Sequence, residues 1–179
     1  MDYISHICCR IFVNSKDLAL TDRSDLDADG SSSPEGFQTA LQYALHLPFS
    51  IYSQRIILLL TTDKELSLKA STYSLREELL SKQAVLYTLS HTTKWVPSGA
   101  LGIDWQGQAI QYSKITTDIK TIQLPETEII QLVKSSQGAM FNMDASIENN
   151  QAKVTEILDY ILKQTLDRAQ EKCQGFMKN

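Results

Sequence analysis

Five consecutive large aliphatic residues occupy positions 56–60, between Arg55 and the triplet Thr61-Thr62-Asp63. A short run that is apolar at every position is typical of a strand covered by helices on both faces. We therefore predict a central strand over residues 55–61, with Leu58 fully buried. The polar residues that follow fall at the carboxyl end of this strand, where open α/β sheets place their ligands.

A helix is predicted immediately before this strand. Its apolar residues have the spacing i, i+3, i+4, i+7, i+8 and are Phe37, Ala40, Leu41, Ala44 and Leu45. Ser33 can cap the start of the helix, Pro34 suits its first position, and Pro48 ends it. His46 then lies in the last turn, where a partly charged imidazole interacts favourably with the helix dipole.

Residues 84–90 form the second predicted buried strand, after a helix within residues 66–82. A helix between two strands implies a crossover and therefore a parallel pair. Residues 100–113 then predict two short strands around the turn Asp104-Trp-Gln-Gly107, a hairpin at the edge of the sheet.

The last part of the chain predicts a helix, a strand and a helix. The first helix opens at Pro125-Glu126 and is capped near Gly138. A short strand over residues 139–143 belongs to the same sheet, and the longest helix covers residues 151–172 behind the cap Asn149-Asn150.

The remaining segments complete one domain. Residues 3–13 are rich in β-branched and aromatic residues and predict a strand, residues 14–33 predict a loop, and residues 174–179 a frayed tail. The predicted fold class is α/β: a Rossmann-like, largely parallel sheet with helices on both faces and an edge hairpin near residues 100–113. A chain of 179 residues is long enough to bury a core of its own.

The charge balance excludes some classes of partner. The chain has 17 basic and 21 acidic residues, and no basic cluster. Nucleic acids and anionic membrane surfaces require clustered Lys and Arg, so neither is an expected partner. No apolar run is long enough to span a bilayer, and the first residues lack the features of a signal peptide as written.

The three cysteines are Cys8, Cys9 and Cys173. No C-x-x-C pair occurs, so neither a zinc site nor a redox motif is indicated. Cys8 and Cys9 point to opposite faces of a strand, so at most one of them could form a disulfide with Cys173. Three unpaired thiols are the alternative, and the sequence leaves the choice open.

Motifs for catalysis are few. The chain contains neither a G-x-G-x-x-G or P-loop phosphate cradle nor a G-x-S-x-G nucleophile elbow. Residues 25–30 copy the first half of a calcium-binding loop, but Gly36 stands where the closing Glu is required. One enzymatic hypothesis remains: a small doubly wound hydrolase whose site lies at the strand carboxyl ends, near Asp63 and Ser90-His91.

Three stretches resemble von Willebrand factor type A domains. In that family a Gly-rich turn with an Asp leads into Pro-Glu and a helix, as do residues 27–45 here. The strand ending in Leu60-Thr-Thr-Asp63 is similar to the family's apolar strand ending in Thr-Asp-Gly, with Lys64 in place of Gly. Residues 130–143 resemble its closing unit of helix, Gly and short strand. The resemblance spans roughly residues 25–165.

This resemblance implies a metal-ion-dependent adhesion site. Carried over, its ligands would be Asp63 and the hydroxyls of Ser31 and Ser33. The chain lacks the family's first strand and the Asp-x-Ser-x-Ser turn that follows it. Hard divalent cations require several oxygen ligands, usually including carboxylates. We therefore expect no tightly bound cofactor, and Mg²⁺ or Ca²⁺ held only weakly.

The function implied by the resemblance is protein binding. The chain is expected to be an adhesion-like module with an incomplete metal site that contacts another protein through the top face of its sheet. The resemblance favours an extracellular location within a larger protein.

Overall fold

The computed structural model describes eight parts of the chain. These are residues 41–48, 54–61, 72–90, 96–97, 99–113, 128–143, 147 and 149–176. They form an α/β fold in which an open sheet of five strands is packed against helices. The elements in chain order are helical residues 41–46 (α1), β1 (Arg55–Thr61), α2 (Thr72–Ser81), β2 (Ala84–Ser90), β3 (Ala100–Asp104), β4 (Ala109–Gln111), α3 (Glu128–Ser135), β5 (Ala139–Asn142) and α4 (Gln151–Phe176).

The sheet is mixed, with the strand order β1-β2-β5-β3-β4. β2 pairs in parallel with β1, which confirms the predicted parallel pair, and with β5 on its other side. The prediction that β5 belongs to the same sheet is confirmed as well. β3 runs antiparallel to both β5 and β4. The prediction of a largely parallel sheet is therefore not confirmed for the described strands. The reason is that β3 of the 100–111 hairpin pairs with β5, so the hairpin adds two strands with antiparallel pairing to the sheet.

Helices cover both faces of the sheet, as predicted. On the first face, Leu86 of β2 and Met140 of β5 pack in one core cluster with residues of α1, α2 and α3. On the second face, Tyr87 and Phe141 pack in another cluster with Ile157 and Ile161 of α4. Adjacent residues of a strand point to opposite faces, so β2 and β5 supply apolar side chains to both clusters.

The strand buried on both faces is β2 and not β1. All seven residues of β2 are buried, whereas β1 lies at one end of the described strand order. Leu58 is 40% exposed and Leu60 66% exposed. The prediction that Leu58 is fully buried is wrong. α4 packs over β2 and β5, and of the second face of β1 it leaves Leu58 and Leu60 exposed while Ile56 packs against the cluster.

A C-terminal cap joins α3 to β5 at the amino end of the strand. Gly138 N donates to Val133 O (2.9 Å) and Gln137 N to Lys134 O (3.1 Å), the two bonds of a Schellman motif. The residue with positive φ is Gln137, at 57°. Gly138, predicted as the cap, lies one position later, where the chain passes close to Leu86 of β2.

Two side chains hold this cap in place. The buried Ser136 hydroxyl accepts a hydrogen bond from Leu86 N (3.1 Å) and donates to Val133 O (3.1 Å). Arg168 of α4 donates to the carbonyl oxygens of Ser136 and Gln137. A guanidinium at the last carbonyls of a helix also interacts favourably with the helix dipole. The cap therefore ties α3, β2 and α4 together.

The hairpin forms as the sequence predicts. The loop Trp105-Gln106-Gly107 is closed by Asp104 N donating to Gln108 O (2.9 Å), and Gly107 adopts φ 83°. The Asp104 carboxylate accepts from Gln106 N and Gln108 N, both at 2.8 Å. A three-residue hairpin loop with Gly in the left-handed region is a common type, and Asp104 rigidifies it further.

Candidate functional site

The carboxyl ends of the three parallel strands lie in one row. Thr61 of β1 is in register with Ser90 of β2, and Ser90 with Asn142 of β5. Met143 N, just beyond β5, donates to Ser90 O (2.8 Å) and extends the pairing by one step. We call this end of the sheet the carboxyl-end edge. It is the position at which the sequence predicts a ligand site.

Three buried polar side chains line this end of the first sheet face. Thr88, Ser90 and Asn142 occupy alternate positions on β2 and β5 and are 0%, 1% and 6% exposed. The Thr88 hydroxyl has no hydrogen-bond partner, so its desolvation is uncompensated. Sequence reasoning missed Thr88 and Asn142. The signal was available: both are polar residues inside strands otherwise occupied by apolar side chains.

The first turns of α4 lie at the same edge. Ser113, just beyond β4, donates its backbone N (2.9 Å) and its hydroxyl (2.5 Å) to the two carboxylate oxygens of Glu156. Lys153 lies 5.8 Å from the centre of the Tyr112 ring, a cation–π contact. Asn150 accepts a hydrogen bond from Lys153 N (3.3 Å) through Oδ1, which confirms the predicted cap of this helix.

An open depression at the start of α4 completes the edge. It is lined by Asn149, Asn150, Gln151, Ala152, Thr155 and Glu156. All of these except Glu156 are uncharged, and the Glu156 carboxylate is already bonded to Ser113. The described part of the edge therefore offers amide and hydroxyl groups, which suit hydrogen bonding to another macromolecule more than capture of an ion.

The described side chains do not fit a tightly held divalent cation. Between residues 41 and 171, the described positions contain no group of three His, Cys, Asp or Glu side chains that could hold a metal ion. Among the described residues at the strand ends, Ser90 and Asn142 offer neutral side chains, whereas Mg²⁺ and Ca²⁺ favour carboxylates.

Most residues predicted to form a site lie outside the described residues. These are Ser31, Ser33, Asp63 and His91, together with the cysteines at positions 8 and 9. In the sequence Asp63 comes two positions after Thr61, the last residue of β1, and His91 directly follows β2. Cys173 belongs to α4, and its side chain is not among those described.

Two tyrosines lie where α4 packs on the second sheet face: Tyr87 of β2 and Tyr160 of α4. Tyr160 packs against Phe141 with the ring centroids 5.7 Å apart and an interplanar angle of 74°. Burial raises the pKa of Tyr87, and the Arg168 charge and the Thr165 hydroxyl counteract that rise only in part. The Tyr87 hydroxyl nevertheless makes no hydrogen bond of ordinary geometry. Burial, followed by the Asp104 carboxylate, raises the pKa of Tyr160 to about 12.

These tyrosines predict a loss of stability in alkali. The folded-state pKa of Tyr160 is about 12 and its ordinary value is 10.0, so the folded chain holds the proton more tightly. The free energy of unfolding is then unaffected below about pH 10 and falls as the pH rises towards about 12. Urea unfolding across this range should show the decline, and Tyr160→Phe should make it shallower. An identical decline in Tyr160→Phe would contradict the assignment to Tyr160.

Comparisons with protein-family models, with curated proteins and with solved structures give no match. The function of the chain is therefore inferred from the geometry above and from the short motifs in the sequence. None of the helices in the described ranges is both long and apolar enough to cross a membrane.

Proposed function

We propose that the chain is a protein-binding, adhesion-like module that recognises its partner through the carboxyl-end edge. The observation that carries this proposal is the open depression at the start of α4, whose amide and hydroxyl side chains lie at the carboxyl-end edge. The parallel strands β1, β2 and β5 end in register at the same edge of the sheet, at Thr61, Ser90 and Asn142. Crevices outside the carboxyl ends of parallel strands are the usual ligand sites of open α/β sheets.

The resemblance to von Willebrand factor type A domains supports the same proposal. Two of the stretches that carry it form the elements expected of them: the apolar strand is β1, and the closing unit is α3, Gly138 and β5. On this proposal β1, β2 and β5 are the Rossmann-like parallel part of such a domain, and β3 and β4 are an addition at its edge.

Recognition at this edge is proposed to be independent of a tightly held cation. The resemblance supplies one carboxylate, Asp63, and the hydroxyls of Ser31 and Ser33. The described donors at the edge are neutral. An ion with so few protein ligands remains largely hydrated, and its affinity is low. Hydrogen bonds from amides and hydroxyls then provide the specificity.

The competing hypothesis is a hydrolase that works near Asp63 and His91, with Ser90 as its nucleophile. Ser90 is 1% exposed, and its side chain points to the face covered by α1, α2 and α3. A serine nucleophile must reach the substrate carbonyl, so this burial favours the binding module.

Labelling with a fluorophosphonate separates the two functions. We expect the folded chain to acquire no adduct at Ser90 during prolonged incubation, because the hydroxyl is buried. Peptide mass mapping measures the adduct, with Ser90→Ala as the matched control. A stoichiometric adduct that disappears in Ser90→Ala would establish a nucleophile and contradict the binding-module proposal.

A further inference from the structure

β1 has the composition of an interior strand but lies at the edge of the described strands. It pairs with β2 along its whole length without a register shift, and in the described part of the chain β2 is its single partner. Natural edge strands are usually protected by a charge, a Pro or a bulge. Residues 56–61 contain none of these, and Leu58 and Leu60 on the second face are exposed.

The positions of the helices indicate what belongs beside β1. Leu41 and Leu45 of α1 pack in the same cluster as Leu75 and Leu79 of α2, so both helices cover the first face. Crossovers between parallel strands have one hand in nearly all proteins. Consider two crossovers of the same hand whose helices lie on the same face of the sheet. In both, the second strand lies on the same side of the first strand.

That side is fixed by the described strands. The crossover through α2 leads from β1 to β2, with α2 on the first face. The crossover through α1 leads into β1. A parallel strand that precedes α1 must therefore lie on the side of β1 away from β2, which is its free edge.

We propose that residues 3–13 pair in parallel with the free edge of β1. This segment lies outside the described residues, and its sequence predicts the only strand before α1. Residues 14–54 connect it to β1, which is ample for a crossover that needs a dozen residues or more. The pairing makes β1 an interior strand, in agreement with its run of five aliphatic residues, and it does not depend on the proposed function.

Cysteine cross-linking tests the pairing, because Cys8 and Cys9 lie in the middle of residues 3–13. They point to opposite faces of a strand, so one of them shares a face with Leu58. The single substitutions Ile56→Cys, Leu58→Cys and Leu60→Cys sample three registers on that face. Neighbouring strands place Cα atoms within the distance that a disulfide spans. After mild oxidation, at least one variant should form a disulfide with Cys8 or Cys9 within the same chain.

The control and the contrary outcomes are distinct. Tyr73→Cys places an exposed thiol on α2, where Tyr73 is 68% exposed, and should form no such bond. Peptide mapping under non-reducing conditions identifies the partners, and circular dichroism checks that each variant is folded. The proposal is overturned if no folded variant links to Cys8 or Cys9. Disulfides formed only between two chains would also overturn the proposal, since they place a second copy on the edge. Disulfides formed only with Cys173 would overturn it as well.

Discussion

Gly138→Ala is expected to be the most damaging single substitution in the described chain. A Cβ at this position would lie 1.7 Å from the carbonyl oxygen of Leu86 and 2.7 Å from its carbonyl carbon. Both atoms belong to the backbone of β2, the strand buried along its whole length, so they cannot move aside as a side chain could. Overpacking in a core costs about 1–3 kcal/mol when side chains can adjust, and a backbone clash exceeds this.

Urea unfolding measures the effect of Gly138→Ala. We expect a loss of more than about 3 kcal/mol, or failure to fold. Gly99→Ala is the matched control: Gly99 has φ +87°, but a Cβ there would meet nothing within 4 Å. In Gly99→Ala the free energy of unfolding should fall by only about 1–2 kcal/mol, the cost of a left-handed conformation for a residue with a Cβ. Equal losses for the two variants would contradict the close contact between Gly138 and β2.

Leu86→Ala has the second largest expected effect. Leu86 is fully buried and packs in the cluster that joins the sheet to α1, α2 and α3. Removing a buried Leu side chain loses its transfer free energy and leaves a cavity, together about 2–5 kcal/mol. The backbone bond from Leu86 N to Ser136 remains possible in this variant, so the loss reports on packing.

Chemical denaturation of Leu86→Ala is best interpreted beside Leu80→Ala. Leu80 lies on α2 and is 45% exposed, so the same truncation there should lower the free energy of unfolding by less than about 1 kcal/mol. The ratio of the two losses tests whether β2 is the central strand. A loss for Leu86→Ala no greater than that for Leu80→Ala would show that it is not.

The elements of the fold are largely predictable from local pattern. The stretches 55–61 and 84–90 are strands because each is a short apolar run, and residues 104–107 form a turn because Asp and Gly occupy its special positions. The position of each strand in the sheet is harder to predict from the sequence. An aliphatic run is the same in an interior strand and in β1, and its exposure depends on where α4 packs.

Long-range contacts explain what the sequence could not provide. The sequence predicts Gly138 as a helix cap, a position that uses the conformational freedom of Gly. In the structure Gly is required because a Cβ would clash with the backbone of Leu86, which is 52 positions earlier in the chain. Gly102, which lies at the register shift between β3 and β4, is similar. A Cβ there would lie 2.3 Å from the carbonyl oxygen of Met140 in β5. The row of Ser90 and Asn142 likewise depends on β5 pairing with β2, which no local pattern encodes.

Isothermal titration calorimetry with magnesium, calcium and manganese tests the central claim most directly. The claim is that the carboxyl-end edge recognises a partner through neutral groups and has no tightly held ion. The intact chain should show only weak binding of each ion, unchanged in Asp63→Ala and in Asp159→Ala, a control on the exposed side of α4. Micromolar affinity that is abolished by Asp63→Ala and retained in Asp159→Ala would contradict the claim, because it would require a nearly complete set of ligands around Asp63.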